Sequence, residues 1–138
     1  MALTVTYGTV TTVTGLDTTS MGAVAGGGTI TSSAIDNSTA QAPAMKVIAT
    51  FNWDASSTGS ADLYLIESGD NSTFSTTNSL SDMRYIGTVS ASTTSTSTKV
   101  LDVGNLPKYW KIHVVNNDAT NGFNTASTVE YQTVTYTG

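Results

Sequence analysis

The chain has 138 residues, with five basic and ten acidic side chains, one histidine and no cysteine, which is the size of a single domain. The net charge of −5 argues against nucleic-acid binding, which needs many cations facing phosphates. The missing cysteines exclude disulfides and thiolate metal sites, and no apolar run approaches the ~20 residues of a membrane-spanning helix.

The N-terminal part of the chain, residues 1–43, consists mostly of Thr, Gly, Ala and Ser. Leu3–Tyr7 and Thr9–Thr14 alternate in the period-2 pattern of β-strands. The glycines of Gly26–Gly28 permit many backbone conformations and predict a flexible hinge. We therefore interpret residues 1–43 as an extended N-terminal arm with outer strands.

Residues 44–138 hold both tryptophans and all three phenylalanines, so this part is predicted to form the core of the domain. Met45–Trp53 alternates clearly, with Phe51 and Trp53 on its apolar face, and Trp110 begins the apolar face of a later strand. Beyond Met45–Trp53 the predicted strands are Ala61–Glu67, Met83–Val89, Lys99–Leu106, Tyr109–Val115 and Thr128–Tyr136.

The fold class that follows is all-β. Thr, Val and Tyr are strand formers that suit a pleated surface, and no window shows an apolar stripe of helical period over ten residues. Without helices to serve as crossovers, the strands are predicted to pair antiparallel in a β-sandwich or jelly-roll-like single domain, with residues 1–43 as the arm and residues 44–138 as the sandwich core.

One four-residue sequence occurs twice. Thr4-Val5-Thr6-Tyr7 recurs as Thr133-Val134-Thr135-Tyr136. Composition alone explains so short a match in a chain rich in Thr and Val. The alternative interpretation is that both segments are edge strands, each in need of a partner.

No arrangement of residues predicts catalysis. His113 is the single candidate base, and we interpret it as a surface or interface histidine. The acids Asp54, Asp70 and Asp118 lie in turn sequences, where their side chains bind backbone N–H groups. A loop with Glu67 and Asp70 is conceivable as a Ca²⁺ site but fits no EF-hand spacing. We therefore predict no enzyme, no catalytic residue, no metal and no cofactor.

The strings Arg84–Val89 and Val100–Asn116, separated by a Ser/Thr run and preceded by the Thr/Gly-rich arm, resemble small virion structural proteins of tailed bacteriophages. Within that group the chain is most similar to capsid decoration (cement) proteins. The resemblance covers residues 45–136 and rests on no diagnostic motif.

The resemblance implies a non-enzymatic protein on the capsid surface of a virion, made in the host cytoplasm. Such a homotrimer would stabilise the shell by bridging subunits of the major capsid protein. The candidate partner-binding arm strand carries five apolar residues, which are Leu3, Val5, Tyr7, Val10 and Val13. On this hypothesis a chain lacking residues 1–14 stays folded but no longer attaches to shells.

Two alternatives stay open. One is a glycan- or receptor-binding β-sandwich module of a phage fibre, a tail or a cell-surface protein, with Trp53 and Trp110 as the candidate stacking residues. Core packing is the competing role for both rings, because each continues an apolar face. The other alternative is a self-polymerising subunit that pairs the edges Thr4–Tyr7 and Thr133–Tyr136 into filaments.

Overall fold

The computed structural model, which describes residues 2–77, 79–92 and 96–138, confirms the predicted all-β antiparallel sandwich. The strands are β1 (Thr4–Tyr7), β2 (Thr11–Thr12), β3 (Thr29–Thr31), β4 (Ile35–Asp36), β5 (Ala44–Asn52), β6 (Ser60–Ser68), β7 (Arg84–Ser90), β8 (Thr96–Val103), β9 (Tyr109–Asn116) and β10 (Thr128–Thr137). A five-residue helix, α1 (Thr18–Gly22), and a short 3-10 helix (Leu80–Asp82) complete the elements.

The strands form two five-stranded sheets. The first sheet has the order β1-β10-β5-β8, and β2 also pairs with β10. The second sheet has the order β3-β9-β6-β7, and β4 also pairs with β9. All of these pairs are antiparallel, and β1 to β4 occupy sheet edges.

The main core lies between the inner faces of the two sheets. The predicted alternation of β5 is confirmed, because Met45, Val47, Ala49 and Phe51 are all at most 1% exposed. Aromatic rings continue this packing: the Phe51 ring stacks on Trp53 at 5.6 Å and lies 4.7 Å from the Phe123 ring. A core of this kind holds the sheets together through burial of apolar surface.

The outer face of the second sheet is also covered. The connection between β6 and β7 folds back so that Phe74 and Met83 pack with Tyr64 and Ile66 in a second, smaller cluster. The Lys111 ammonium lies 4.2 Å from the centre of the Phe74 ring, a cation–π contact. The second sheet therefore has apolar side chains on both faces. On the first sheet, among the described residues, the outer face carries exposed side chains such as Tyr7, Val100 and Tyr136.

The segment before residue 44 is built into the sandwich. Asp17 caps α1 by accepting a hydrogen bond from the backbone N–H of Ser20 at 2.8 Å. Leu16, Met21 and Val24 then join the same core cluster as the β5 residues. The sequence missed α1 because one and a half turns are too short to show a helical period.

The predicted glycine hinge is wrong. The Gly26 Cα lies so close to the loop after β9 that an added Cβ would be 2.6 Å from the carbonyl carbon of Thr120. Gly27 has a φ of 72° and donates its N–H to the Asp118 carbonyl at 2.7 Å. These glycines permit close backbone approach and a tight turn, so they fix the segment to the domain.

Buried and turn-forming aspartates fix the loops, as the sequence predicts. Asp118 accepts hydrogen bonds from the backbone N–H groups of Asn121 and Thr120 at 2.9 Å and of Thr58 at 3.1 Å. These bonds hold the pKa of Asp118 at about 2, below its ordinary value of 3.8, and the bond from Asn121 has the largest effect. The charged carboxylate thereby joins the loop before β6 to the loop after β9.

We expect this pKa to make the fold acid-sensitive. A carboxyl whose pKa is lowered on folding contributes stability above its ordinary pKa and loses that contribution as pH falls through the folded value. The contribution of Asp118 to stability against urea should therefore be complete above about pH 5 and decline toward pH 2. The lowered pKa of the buried His113 adds a separate loss as pH falls below the ordinary histidine value of 6.5. Asp118→Asn should be less stable at pH 7 and decline less steeply on acidification; equal slopes for the two proteins would contradict this role.

Among the described residues, no helix has the length and apolar character needed to cross a membrane.

Candidate functional site

The open outer face of the first sheet carries a groove with two tyrosines. Residues alternate between the faces of a strand, and with the odd residues of β5 in the core its even residues point outward. The registers Tyr7 with Val134 and Val5 with Tyr136 place these four side chains on the same outer face. We call the depression that they line the tyrosine groove.

The tyrosine groove is bounded by the ends of four strands. Its volume is about 370 Å³, the lower end of the range for small-molecule sites. Its lining residues are Val5, Tyr7, Ala44, Met45, Lys46, Asp102, Val103, Gly104, Val134 and Tyr136. The groove thus combines apolar walls, two aromatic rings and one pair of opposite charges.

The two tyrosines are the exposed aromatic residues of this face. Tyr7 is 55% exposed and Tyr136 is 50% exposed, whereas the neighbouring Val134 is only 6% exposed. Tyr7 is directly opposite Val134, so Tyr7 and Tyr136 occupy diagonal positions of the ladder, whose Cα atoms are about 7–8 Å apart. The buried valine neighbours both tyrosines, because it is opposite Tyr7 and two residues before Tyr136 on the same strand.

An ion pair closes one side of the groove. Lys46 on β5 is directly opposite Asp102 on β8, and its Nζ lies 2.6 Å from the Asp102 Oδ1. The hydrogen bond to Asp102 raises the pKa of Lys46, and the negative charge of Asp102 acts in the same direction. The groove therefore presents a permanent donor and, on the 80% exposed Asp102 side chain, a carboxylate acceptor.

The five residues of the predicted arm differ in exposure. Leu3, Val5 and Tyr7 are exposed in or beside β1, and Val10 is exposed between β1 and β2. Val13, in contrast, is fully buried in the main core, and its N–H donates to the Val129 carbonyl at 2.9 Å. As placed, Val13 is unable to contact a partner, because β2 and the following turn carry it between the sheets.

Neither tryptophan is positioned for sugar stacking. Trp53 and Trp110 are each 1% exposed, so a ligand has no access to their ring faces. The Trp110 ring meets the Tyr131 ring edge to face at 5.2 Å, and Trp53 packs on Phe51. The core-packing interpretation is correct for both, because each ring continues the inward face of its strand.

His113 is buried, so its interpretation as a surface or interface histidine is wrong. It is 5% exposed, opposite Tyr64 and Thr31 on the two neighbouring strands. Its Nδ1 lies 2.7 Å from the Thr31 Oγ1, and burial lowers its pKa. Among the described residues the side-chain hydrogen-bond partner of His113 is therefore a threonine hydroxyl, whereas a hydrolytic triad pairs its histidine with a serine and a carboxylate.

Glu67 and Asp70, the conceivable Ca²⁺ ligands, have other partners. Asp70 accepts backbone N–H bonds from Thr73 at 2.7 Å and Ser72 at 2.9 Å, and these hold its pKa at about 2. Glu67 pairs with Arg84 at 3.3 Å. In the part of the chain that the structure describes, no group of three or more His, Asp or Glu side chains is placed to hold a metal ion.

Sequence reasoning missed Tyr136, Lys46 and Asp102 as site residues. Alternation does place Lys46 on the outward face of its strand, and the repeated Thr-Val-Thr-Tyr sequence does mark Tyr7 and Tyr136 as equivalents. The sequence does not reveal the strand register, which brings residues 7, 46, 102 and 136 together from four strands.

Comparison with known proteins gives neither a family nor a relative. No protein-family model matches the chain, and no curated protein matches it. Solved structures with partial similarity include a family 35 carbohydrate-binding module (CBM35) from Cellvibrio japonicus Abf62, at 9% identity over 99% of this chain and 94% of that chain, with a TM-score of 0.47. The C-terminal CBM6 of LamC, a laminarinase from Zobellia galactanivorans, aligns at 12% identity over 81% of this chain and 77% of that chain, with a TM-score of 0.46. At these values the similarity assigns no family and no ligand.

Proposed function

We propose that this chain is a non-catalytic, glycan-binding β-sandwich module that holds a neutral polysaccharide in the tyrosine groove. The observation that carries the proposal is the pair of exposed rings, Tyr7 and Tyr136, which occupy diagonal positions of one ladder, next to the buried Val134 and in the same groove as the Lys46–Asp102 pair. The proposal replaces the two tryptophans as stacking residues with these two tyrosines.

The chemistry of a sugar matches this arrangement. A pyranose ring presents C–H groups on its faces and hydroxyls around its rim. The face of an aromatic ring is electron-rich and attracts such C–H groups, which accounts for the two tyrosines. The Lys46 ammonium donates to rim oxygens and the Asp102 carboxylate accepts from rim hydroxyls, and such charge-assisted bonds are the stronger class.

The charges favour a neutral glycan. Lys46 and Asp102 are paired at 2.6 Å, so their charges nearly cancel at the groove, and the whole chain carries −5. A polyanionic saccharide would be repelled by that net charge.

The test is native electrophoresis through gels that contain a soluble neutral glucan, xylan or mannan. We expect at least one polysaccharide to retard the chain. Tyr136→Ala should weaken that interaction about tenfold, since loss of one stacking contact is worth on the order of 1.4 kcal/mol.

The matched control is Tyr85→Ala, which removes a tyrosine that is 56% exposed on the second sheet instead of the first. This variant should be retarded like the unmodified chain. Failure of all three polysaccharides to retard the chain, or equal retardation of the Tyr136 variant, would refute the groove as a glycan site.

The capsid-decoration hypothesis stays a prediction, and so do its homotrimer and its major-capsid-protein partner. The arm it invokes is paired along β10 through β1 and β2. Deleting residues 1–14 would also remove the buried Val13. A loss of attachment could then result either from the missing arm or from a destabilised core. Leu3→Asp, at a residue that is 67% exposed, tests the arm as anchor without this problem; unimpaired attachment to shells would rule it out.

A further inference from the structure

The outer edge of β1 is the unprotected edge of the first sheet. Gly8 donates its N–H to the Thr133 carbonyl of β10 at 2.9 Å. Because residues two apart point their backbone groups to the same side of an antiparallel strand, Thr4 and Thr6 also face β10. The N–H and C=O groups of Leu3, Val5 and Tyr7 therefore point away from the sheet, where no described strand pairs with them.

The edges formed by β8 and β7 are less open to a further strand than the edge of β1. The edge strand β8 carries Lys99 and Asp102, and the Lys99 Nζ donates to the Thr88 carbonyl of β7 at 3.0 Å. A bulge between Leu63 and Tyr64 makes the pairing of β6 with the edge strand β7 irregular. Charges and bulges discourage a further strand. The first charged side chain of the sequence is Asp17, so the edge of β1 has no charged side chain of its own.

The fold itself shows how the β1 sequence pairs with a copy of itself. β10 contains the same Thr-Val-Thr-Tyr sequence, and it pairs antiparallel with β1 so that Thr6 is opposite Thr135. In this register each valine is opposite a tyrosine, as in Val5 with Tyr136 and Tyr7 with Val134. Such aromatic and β-branched cross-strand pairs stabilise a ladder. The two matching segments therefore pair with each other in the first sheet.

We propose that two copies of this chain associate through the free edges of their β1 strands, antiparallel, with Thr6 opposite Thr6 of the second copy. Val5 is then opposite Tyr7 of the second copy, which repeats the valine–tyrosine pairing already made with β10. The two-fold axis passes through the sheet between the two Thr6 residues, so the outer faces of both first sheets lie on the same side. A single ten-stranded sheet results.

The interface is small and isologous. Only the four residues of β1 from each copy form its ladder. The area that such an interface buries is well below the ~1,200 Å² at the lower end of standard interfaces. The dimer is accordingly weak and reversible, and it is closed because each β1 edge is used by its partner. The two tyrosine grooves become neighbours in the joined sheet, although the association does not depend on glycan binding.

Cysteine cross-linking tests the register directly, because the chain contains no cysteine of its own. In the proposed pairing Thr6 and its counterpart form a non-hydrogen-bonded pair with Cα atoms about 4.5 Å apart, within the range that a disulfide spans. Thr4 and its counterpart are four residues out of register, on the order of 14 Å apart, which is beyond that range. Both residues are exposed and share a side of β1.

Under mild oxidation at high protein concentration, T6C should form a covalent dimer about ten times faster than T4C. Sedimentation of the unmodified chain should show mass increasing with concentration toward a dimer, and Val5→Pro, which removes an outward N–H, should raise the dissociation constant about tenfold. Equal cross-linking of T6C and T4C, a monomer throughout the concentration series, or growth into open-ended filaments would each overturn the proposal.

Discussion

Replacement of Leu16 by alanine is expected to lower the free energy of unfolding by about 2–5 kcal/mol. Leu16 is fully buried in the main core, and its carbonyl accepts the N–H of Val129 at 3.1 Å. A truncated side chain leaves a cavity that rigid neighbours fill only in part. Urea unfolding monitored by circular dichroism measures the loss.

The matched control for this prediction is Leu3→Ala, the same substitution at a residue that is 67% exposed. Surface substitutions of this kind change stability by about 0.5 kcal/mol or less. If the segment before residue 44 were an arm independent of the domain, both variants would be as stable as the unmodified chain. That outcome would contradict the packing described for Leu16.

Trp110→Ala is expected to be the most destabilising single change, at about 3–5 kcal/mol. The Trp110 ring is 1% exposed and packs edge to face on Tyr131, so its removal leaves a large cavity between the sheets. Thermal or urea unfolding measures the effect.

Trp110→Phe separates the role of this residue in the core from any role in binding. It keeps an aromatic ring and should fold, with a smaller loss of stability than the alanine variant. Because no ligand reaches a ring that is 1% exposed, the folded Phe variant should be retarded in polysaccharide gels like the unmodified chain. A selective loss of retardation at unchanged stability would return Trp110 to the candidate site residues.

Alternation explains why much of the fold could be predicted from the sequence. On β5 the apolar residues occur at every second position, and a half-buried strand needs just that pattern. The prediction for β9 holds for the same reason on its inner face, where Trp110, Ile112 and Val114 are buried. Strand periodicity is a local property, so a single sequence records it.

The errors concern properties that depend on distant residues. Gly26 looks like a hinge until the backbone of Thr120 is found beside it. The sequence places His113 on the side of β9 that faces away from the apolar residues, which predicts exposure. In the structure the connection that carries Phe74 covers this outer side as well, and His113 is buried. Leu16 lies in a sequence with few bulky residues, and its burial depends on contacts with β10 at the other end of the chain.

The candidate site could be predicted only in part, because it also depends on residues that are distant in the sequence. The sequence predicts Tyr7 as a residue of the partner-binding arm, but the side chains that complete its groove come from β5, β8 and β10. Tyr136 is 129 positions further along the chain, and the antiparallel register of β1 with β10 brings the two rings to one face. Tryptophans attract attention as sugar-stacking residues, yet here the larger rings fill the core and the tyrosines remain outside.

The most direct test of the proposed function is an NMR titration of the isotope-labelled chain with hexasaccharides of the glucan, the xylan and the mannan. For one of them we predict saturable shifts of the backbone amides of Val5, Tyr7, Lys46, Asp102 and Tyr136, which the groove brings together. Amides of the second sheet around Tyr85 should stay unchanged. Saturable shifts confined to other parts of the surface, or none with any of the three saccharides, would contradict the tyrosine groove as the glycan site.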